Sequence, residues 1–442
     1  MNTSNFPESP QLNDVEAGTN PEHYVSAKSP KSGTTCSRQQ LYSSVSSLGG
    51  GALRYGTAPR LWSRECIGLF AQYAAVGLLY GALPGTIYPF LQNYLNVQGT
   101  QALAARVLVS LPWSFKVFYG IVSDCFPVRG HRRGPFILLG WMVCFVVLVV
   151  MSCTSIGEPY YSDPSVRDVK PENYTESQRD SLNLDAPLHG GKYVVLIMLA
   201  SVGYLMSDVA ADALVVEVAQ REPIAVRGRT QTAAYTVRTV FMMVANLLLA
   251  FLFNGKDYGG DFEFTLSFPQ LVQILTCSAG LMLPITWFFV NEERCEAPSF
   301  RKYMGGLWGL LQTRAIFQVI AYKFFAGFFD NFTFVALEPM QTYWAKVTPL
   351  NEKLGNVLVL LVMALTLVWT GRYGLNWNWR IIMVVSTLTV VVLDVTCMLL
   401  VTWNIVRNQY FWLALPIMEQ FMQGVGFMVS TYVVVELAEF GQ

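Results

Sequence analysis

The chain has 442 residues, of which 53% are hydrophobic and only 14% charged, against about 25% charged in a typical soluble domain; an ordinary soluble protein is excluded. Thirty Lys and Arg balance thirty Asp and Glu, so no net field draws nucleic acid or another polyanion. The three histidines, His23, His131 and His189, stand far apart in polar segments, without metal-ligand spacing; with no nucleophile–base constellation either, neither enzyme chemistry nor a metal or cofactor is expected.

Residues 1–60 are rich in Ser, Pro, Gly, Asn and Thr with almost no apolar periodicity, and read as a disordered tail. Apolar stretches then recur at about 66–90, 101–122, 135–153, 193–216, 232–253, 270–290, 316–338, 354–370, 380–403 and 410–434, ten candidate helices each long enough to cross a bilayer. The eight cysteines lie mostly in or beside these stretches and read as small apolar residues. Lys and Arg near span ends are retained on the cytoplasmic side. The tail and the loops after even-numbered spans hold eighteen of them, the loops after odd-numbered spans eight, so the N-terminus is expected in the cytoplasm. The longest odd loop, about 154–192, carries the glycosylation sequon Asn173-Tyr174-Thr175, which is modified only on the opposite side.

An internal repeat organises the chain. At an offset of 250 residues Gly77 matches Gly327, Pro89 matches Pro339, Val97 matches Val347, and Val107-Leu108-Val109 matches Val357-Leu358-Val359. Val215-Val216-Glu217-Val218-Ala219 also resembles Val434-Val435-Glu436-Leu437-Ala438. The expected domains are the tail at 1–60, a first six-helix bundle at 61–291, a cytoplasmic linker at 292–315, and a second bundle at 316–442. That second bundle holds four helices, so the reading is of a truncated chain lacking spans 11 and 12.

After span 2, Gly120-Ile-Val-Ser-Asp124 runs on to Arg129-Gly-His-Arg132-Arg133, and after span 4 Glu217 precedes Arg227-Gly228-Arg229. Both resemble signature loops of the major facilitator superfamily. The resemblance implies that Asp124, Arg132, Arg133, Glu217 and Arg227 act as gating latches. A narrower resemblance rests on Leu111-Pro112-Trp113-Ser114-Phe115-Lys116, running through Gly120 into Ser123-Asp124-Cys125-Phe126-Pro127, together with Asp208, Asp212, Glu217 and Arg227-Gly-Arg-Thr-Gln231. These residues look like the folate-biopterin transporter family, a branch of that superfamily, over about 61–442. What this implies is carriage of folates and pteridines with proton coupling.

Ionisable groups inside spans are functional candidates in their own right, because each costs a few kcal/mol at the bilayer centre unless it faces the bundle interior. On span 1, Tyr73, Gly77, Tyr80 and Pro84 form one helical stripe, whose repeat equivalents are Lys323, Gly327, Asp330 and Phe334. On span 2, Arg106 and Trp113 are seven apart and share a face, with Lys116 near. Asp208 and Asp212 on span 4 are i, i+4 and share a face, and Arg238 on span 5 is expected to pair with Asp212. Glu419 on span 10 and Asp394 on span 9 lie deep in the bilayer.

The fold class expected is therefore all-α: a polytopic membrane protein with a major facilitator-type two-bundle fold and about ten transmembrane helices. The function expected is symport of a small polar solute, by resemblance a folate or pterin, by a monomer in the plasma membrane or an organelle membrane. Tyr73, Tyr80, Arg106, Trp113, Lys116, Lys323, Asp330 and Glu419 would hold the solute, and Asp208, Asp212 and Arg238 would exchange partners as a proton arrives. Two other readings stand beside it: a carrier of another polar metabolite, such as an amino acid or nucleoside derivative, and a non-transporting truncated product.

Overall fold

The structure, a computed structural model, describes residues 52–54, 56–260, 262–290, 292, 294, 299–330, 340–374 and 377–437. Among these the long elements are helices: α1 (Arg64–Gly85), α2 (Gly99–Ser114), α3 (Lys116–Cys125), α4 (Gly134–Cys153), α5 (Gly190–Ala219), α6 (Arg229–Leu252), α7 (Phe268–Phe289), α8 (Phe300–Leu311), α9 (Arg314–Asp330), α10 (Pro349–Tyr373), α11 (Trp379–Thr402) and α12 (Gln409–Leu437). No strand occurs among the described residues, which show isolated bridges alone. Among the described residues eight segments are long and apolar enough to cross a bilayer, running from Arg64–Tyr94 to Arg380–Thr402. The spans expected at 316–338 and 410–434 correspond to α9 and α12, which are not among those eight; α9 has 17 residues up to Asp330. The chain is a multi-pass membrane protein.

Two segments assigned by sequence to the tail and the linker carry structure. Leu53 and Arg54 donate their backbone N–H groups to the Gln220 carbonyl at 2.9 and 3.0 Å, so the end of the tail lies along the turn between α5 and α6. The linker holds α8.

Proline shapes the first two spans. Pro84 stands in the last turn of α1 and Pro89 in the stretch that follows, each deleting a donor of the helical ladder. The chain answers with a π-helical segment, Ile87–Tyr94, and closes it with Leu95 N–H donating to Phe90 C=O at 3.0 Å and Val97 to Leu91 at 2.9 Å. The repeat is visible here in the backbone itself. At the same offset a π turn recurs at Met340–Trp344, Ala345 donates to Met340 at 2.9 Å and Val347 to Gln341 at 3.2 Å. Asn96 and its equivalent Lys346 both take the left-handed φ of 54°. Pro112 likewise precedes the break at Phe115 (φ −95°, ψ 9°) that separates α2 from α3.

In the first bundle α1 packs along α6, α4 between α5 and α7, and α2 on α5; α10 joins the set by packing along α6, while α12 lies against α10 and α11. Small residues permit the closest crossings, since lipid tails give helices no hydrophobic reason to associate and backbone proximity must supply the contact. On α1 the ridge is Gly77, Gly81 and Gly85: a Cβ at Gly77 would sit 2.3 Å from the Arg238 carbonyl oxygen, and one at Gly81 2.8 Å from the Ala245 Cβ. At the repeat position Gly327 a Cβ would meet no described atom within 4 Å. We therefore expect Gly77→Ala to cost about 2 kcal/mol by overpacking, as read from thermal melting in one detergent.

Candidate functional site

The interior of the first bundle holds two cations and two carboxylates. The break at Phe115 turns the start of α3 so that the Lys116 ammonium reaches α5, donating to Asp208 Oδ2 at 2.8 Å and Asp212 Oδ2 at 3.3 Å. Arg238 on α6 approaches Asp208 Oδ1 from the other side at 3.6 Å. The Asp208 side chain is 1% exposed, so burial of its charge is tolerable because a cation lies on each side of it. Asp212 also accepts from the Tyr73 hydroxyl and, at 3.4 Å, from that of Tyr235. Aromatic rings frame the charges: Lys116 lies 4.5 Å over the Trp113 ring, Arg238 4.7 Å over Tyr235, Tyr80 packs at 4.8 Å on Trp113, and Tyr235 meets Phe427 of α12 edge-on at 5.2 Å. The arrangement can hold or release a proton at a carboxylate and offers half-buried aromatic faces beside it.

A second polar set closes the end of the bundle where α3 ends and α4 begins. Arg133 pairs with Asp124 at 2.6 Å, donates to Ser123 Oγ at 2.9 Å, and lies 4.0 Å from Glu217. Glu217 also pairs with Arg54 at 2.8 Å, and Asp124 accepts from the Tyr303 hydroxyl of α8 at 3.0 Å. Burial, then the neighbouring Asp124 charge, push the Tyr303 phenol up, so it remains a donor.

The N-termini of α4 and α6 at this end leave backbone N–H groups unsatisfied, and a carboxylate from outside each helix takes them. Glu292 accepts from the backbones of Arg132 (2.7 Å), Arg133 (2.9 Å) and Gly134 (2.9 Å) at the start of α4. Glu222 accepts from Gly228 (2.7 Å), Arg229 (3.0 Å) and Thr230 (2.8 Å), and from the Thr230 hydroxyl at 2.6 Å, at the start of α6. Burial pushes the Glu222 carboxyl up, against the pull of these hydrogen bonds.

Known proteins share parts of this chain. The model of the BT1 family matches residues 77–160, which run from the α1 glycine ridge through Lys116, Asp124 and Arg133. "Probable folate-biopterin transporter 4" of Arabidopsis thaliana is 24% identical over 188 residues, 42% of this chain and 32% of that protein. "Folate-biopterin transporter" of Synechocystis sp. is 22% identical over 277 residues, 61% of this chain and 46% of its own length. These matches support a likeness to the folate-biopterin transporter family. "Folate transporter 1" of Plasmodium falciparum is 29% identical over 65 residues, 15% of this chain and 13% of that protein. The matches thus span less than half the length of each of these relatives.

The structure brings together Tyr73, Tyr80, Trp113, Lys116, Asp208, Asp212 and Arg238. One pairing differs from expectation: the ion pair of Arg238 is with Asp208 and not with Asp212, which is held instead by Lys116 and the Tyr73 and Tyr235 hydroxyls. Tyr73 is 1% exposed and spends its hydroxyl on Asp212, so Tyr80 and Trp113 are the rings closer to open space. Arg106 is exposed on α2, two turns before Trp113. Glu419 is half-buried on α12, with Oε1 unsatisfied among the described residues. The side chains of Lys323 and Asp330 lie outside the described residues.

At the Asp124 end the expected gating residues Asp124, Arg133 and Glu217 meet. Arg132 joins through its backbone, and Arg227 is buried in the turn before α6. The carboxylate that holds the turn at Gly228 is Glu222, however, and Glu217 serves Arg54 and Arg133 instead. Asn173 is exposed in a short 3-10 turn, Pro171–Asn173. Sequence reasoning missed Tyr235, although it stands three residues before Arg238 and so on the same helix face. It also missed Glu222 and Glu292, whose roles depend on loop geometry that no spacing rule encodes.

Proposed function

We propose that this chain moves a folate- or pterin-like solute across a membrane by alternating access, with proton movement at the Asp208–Asp212 pair. The observation that carries this reading is the cluster of buried Asp208 with half-buried Lys116, Asp212 and Arg238, set among Tyr73, Tyr80, Trp113 and Tyr235. Two cations balance two carboxylates, so a proton arriving at Asp212 would loosen Lys116 and Tyr73, and the freed ammonium could meet an anionic solute. Tyr80 and Trp113 would face its flat ring. Folate or biopterin appears in the relatives' names, and the solute class is taken from them. The latch residues Asp124, Arg133 and Glu217 would open and close one end of the pathway. In this reading the N-terminus is cytoplasmic, Asn173 lies on the other side, and the carrier works as a monomer.

Uptake of labelled folate by cells expressing the protein, at acidic and at neutral outer pH, tests it. The expected result is faster uptake at the acidic pH, suppressed by excess unlabelled folate. Equal uptake at both would remove the proton, and no uptake at either would remove the solute class.

A further inference from the structure

The linker helix α8 (Phe300–Leu311) is amphipathic in a particular way. Phe300, Met304, Leu307, Trp308 and Leu311 follow i, i+4, i+7, i+8 and i+11 and so form one apolar face. Arg301 flanks this face beside Trp308, and Lys302 stands on the opposite side with Gly305 and Gly309. Only part of the apolar face is used by the protein: Tyr303, at its edge, bonds to Asp124, whereas Phe300 is 55% and Trp308 63% exposed, and Arg301 and Lys302 are both exposed.

The height of this helix is fixed independently. Asp124 lies in the last turn of the span Gly99–Cys125, so the bond from Tyr303 holds α8 at the level where that span leaves the bilayer. The neighbouring span ends at Phe289 with Trp287 and Phe288 exposed at 69% and 64%, and α9 begins at Arg314, three residues after α8 ends. An exposed Trp beside two exposed cations at that level is the chemistry of the bilayer interface, where the ring sits at the headgroup boundary and the cations meet anionic lipid.

We propose that α8 is an interfacial helix whose Arg301 and Lys302 bind the headgroup of an anionic phospholipid, with Phe300 and Trp308 seated in the adjoining acyl boundary. The surface lies one hydrogen bond away from the Asp124–Arg133 pair, so the lipid charge acts beside the latch.

The test uses the full chain purified in a neutral detergent, with phosphatidylserine or phosphatidylcholine added and thermal melting followed. Phosphatidylserine raises the melting midpoint and phosphatidylcholine does not. The double variant Arg301→Gln, Lys302→Gln melts with the native chain in phosphatidylcholine and loses the rise. Inorganic phosphate alone gives no rise, since the apolar half of the site is unfilled. An equal rise in the double variant, or one of the same size with inorganic phosphate, overturns the proposal. Should the variant not purify, a cationic lipid in place of phosphatidylserine serves the same purpose on the native chain: no rise is expected, and a rise equal to that with phosphatidylserine overturns it.

Discussion

Lys116→Met is expected to destabilise the protein by about 3 kcal/mol, the range seen when one member of a buried charge set is removed, and to abolish transport. The reason lies in the count around Asp208. With Lys116 present two cations meet two carboxylates; without it Arg238 alone faces both Asp208 and Asp212. Met keeps the length and the contact with Trp113, so the loss is of charge and not of volume. Lys116→Met combined with Asp212→Asn restores a balanced Arg238–Asp208 pair, and should recover most of the lost stability while leaving transport absent. Melting of the native chain, both single variants and the double variant closes the cycle, in which contacting residues deviate from additivity by about 0.5–3 kcal/mol. Additive effects would mean that Lys116 and Asp212 do not share one charge set.

Glu222→Ala is expected to cost about 3 kcal/mol, because Gly228 and Thr230 lose a buried acceptor for their backbone donors at the start of α6. Glu222→Gln keeps an acceptor oxygen and should cost less. The two substitutions also differ in pH dependence. Burial raises the folded-state pKa of Glu222 above its unfolded value, so the folded chain holds this proton more tightly than the unfolded chain. The contribution of that proton to stability is complete below the unfolded carboxylate pKa and is lost as pH rises through the folded one. The gap between native and Glu222→Gln should accordingly narrow in favour of the variant as pH rises across that window. A gap that widens would show that the hydrogen bonds to the ionised carboxylate outweigh its burial. Melting in one detergent at a series of pH values reads both effects.

Much of the architecture was legible because hydrophobic length and repetition are written residue by residue. Runs of apolar residues marked where the long helices fall, and the paired π turns and left-handed Asn96 and Lys346 share the 250-residue offset of the Gly77–Gly327 and Val97–Val347 matches. The charged residues of the site were legible for a related reason: an Asp or Lys within an apolar run has few places to go. Which partner each took was not legible. The break at Phe115 that turns Lys116 onto α5, and the pairing of Arg238 with Asp208, depend on three helices at once. The glycines of α1 were present as a four-residue spacing, but their meaning required α6 to be placed 2.3 Å from a Cβ that is not there. Glu222 and Glu292 act across loops and carry no periodic mark.

The central claim is that a proton moves with the solute at the Lys116–Asp208–Asp212–Arg238 cluster. Vesicles holding the purified protein and an internal pH indicator, given external folate with no imposed gradient, read this directly. The account expects the interior pH to fall as folate enters through the native protein, and expects Asp212→Asn to exchange labelled for unlabelled folate without that fall. Folate entry through the native protein with no change in interior pH would contradict it.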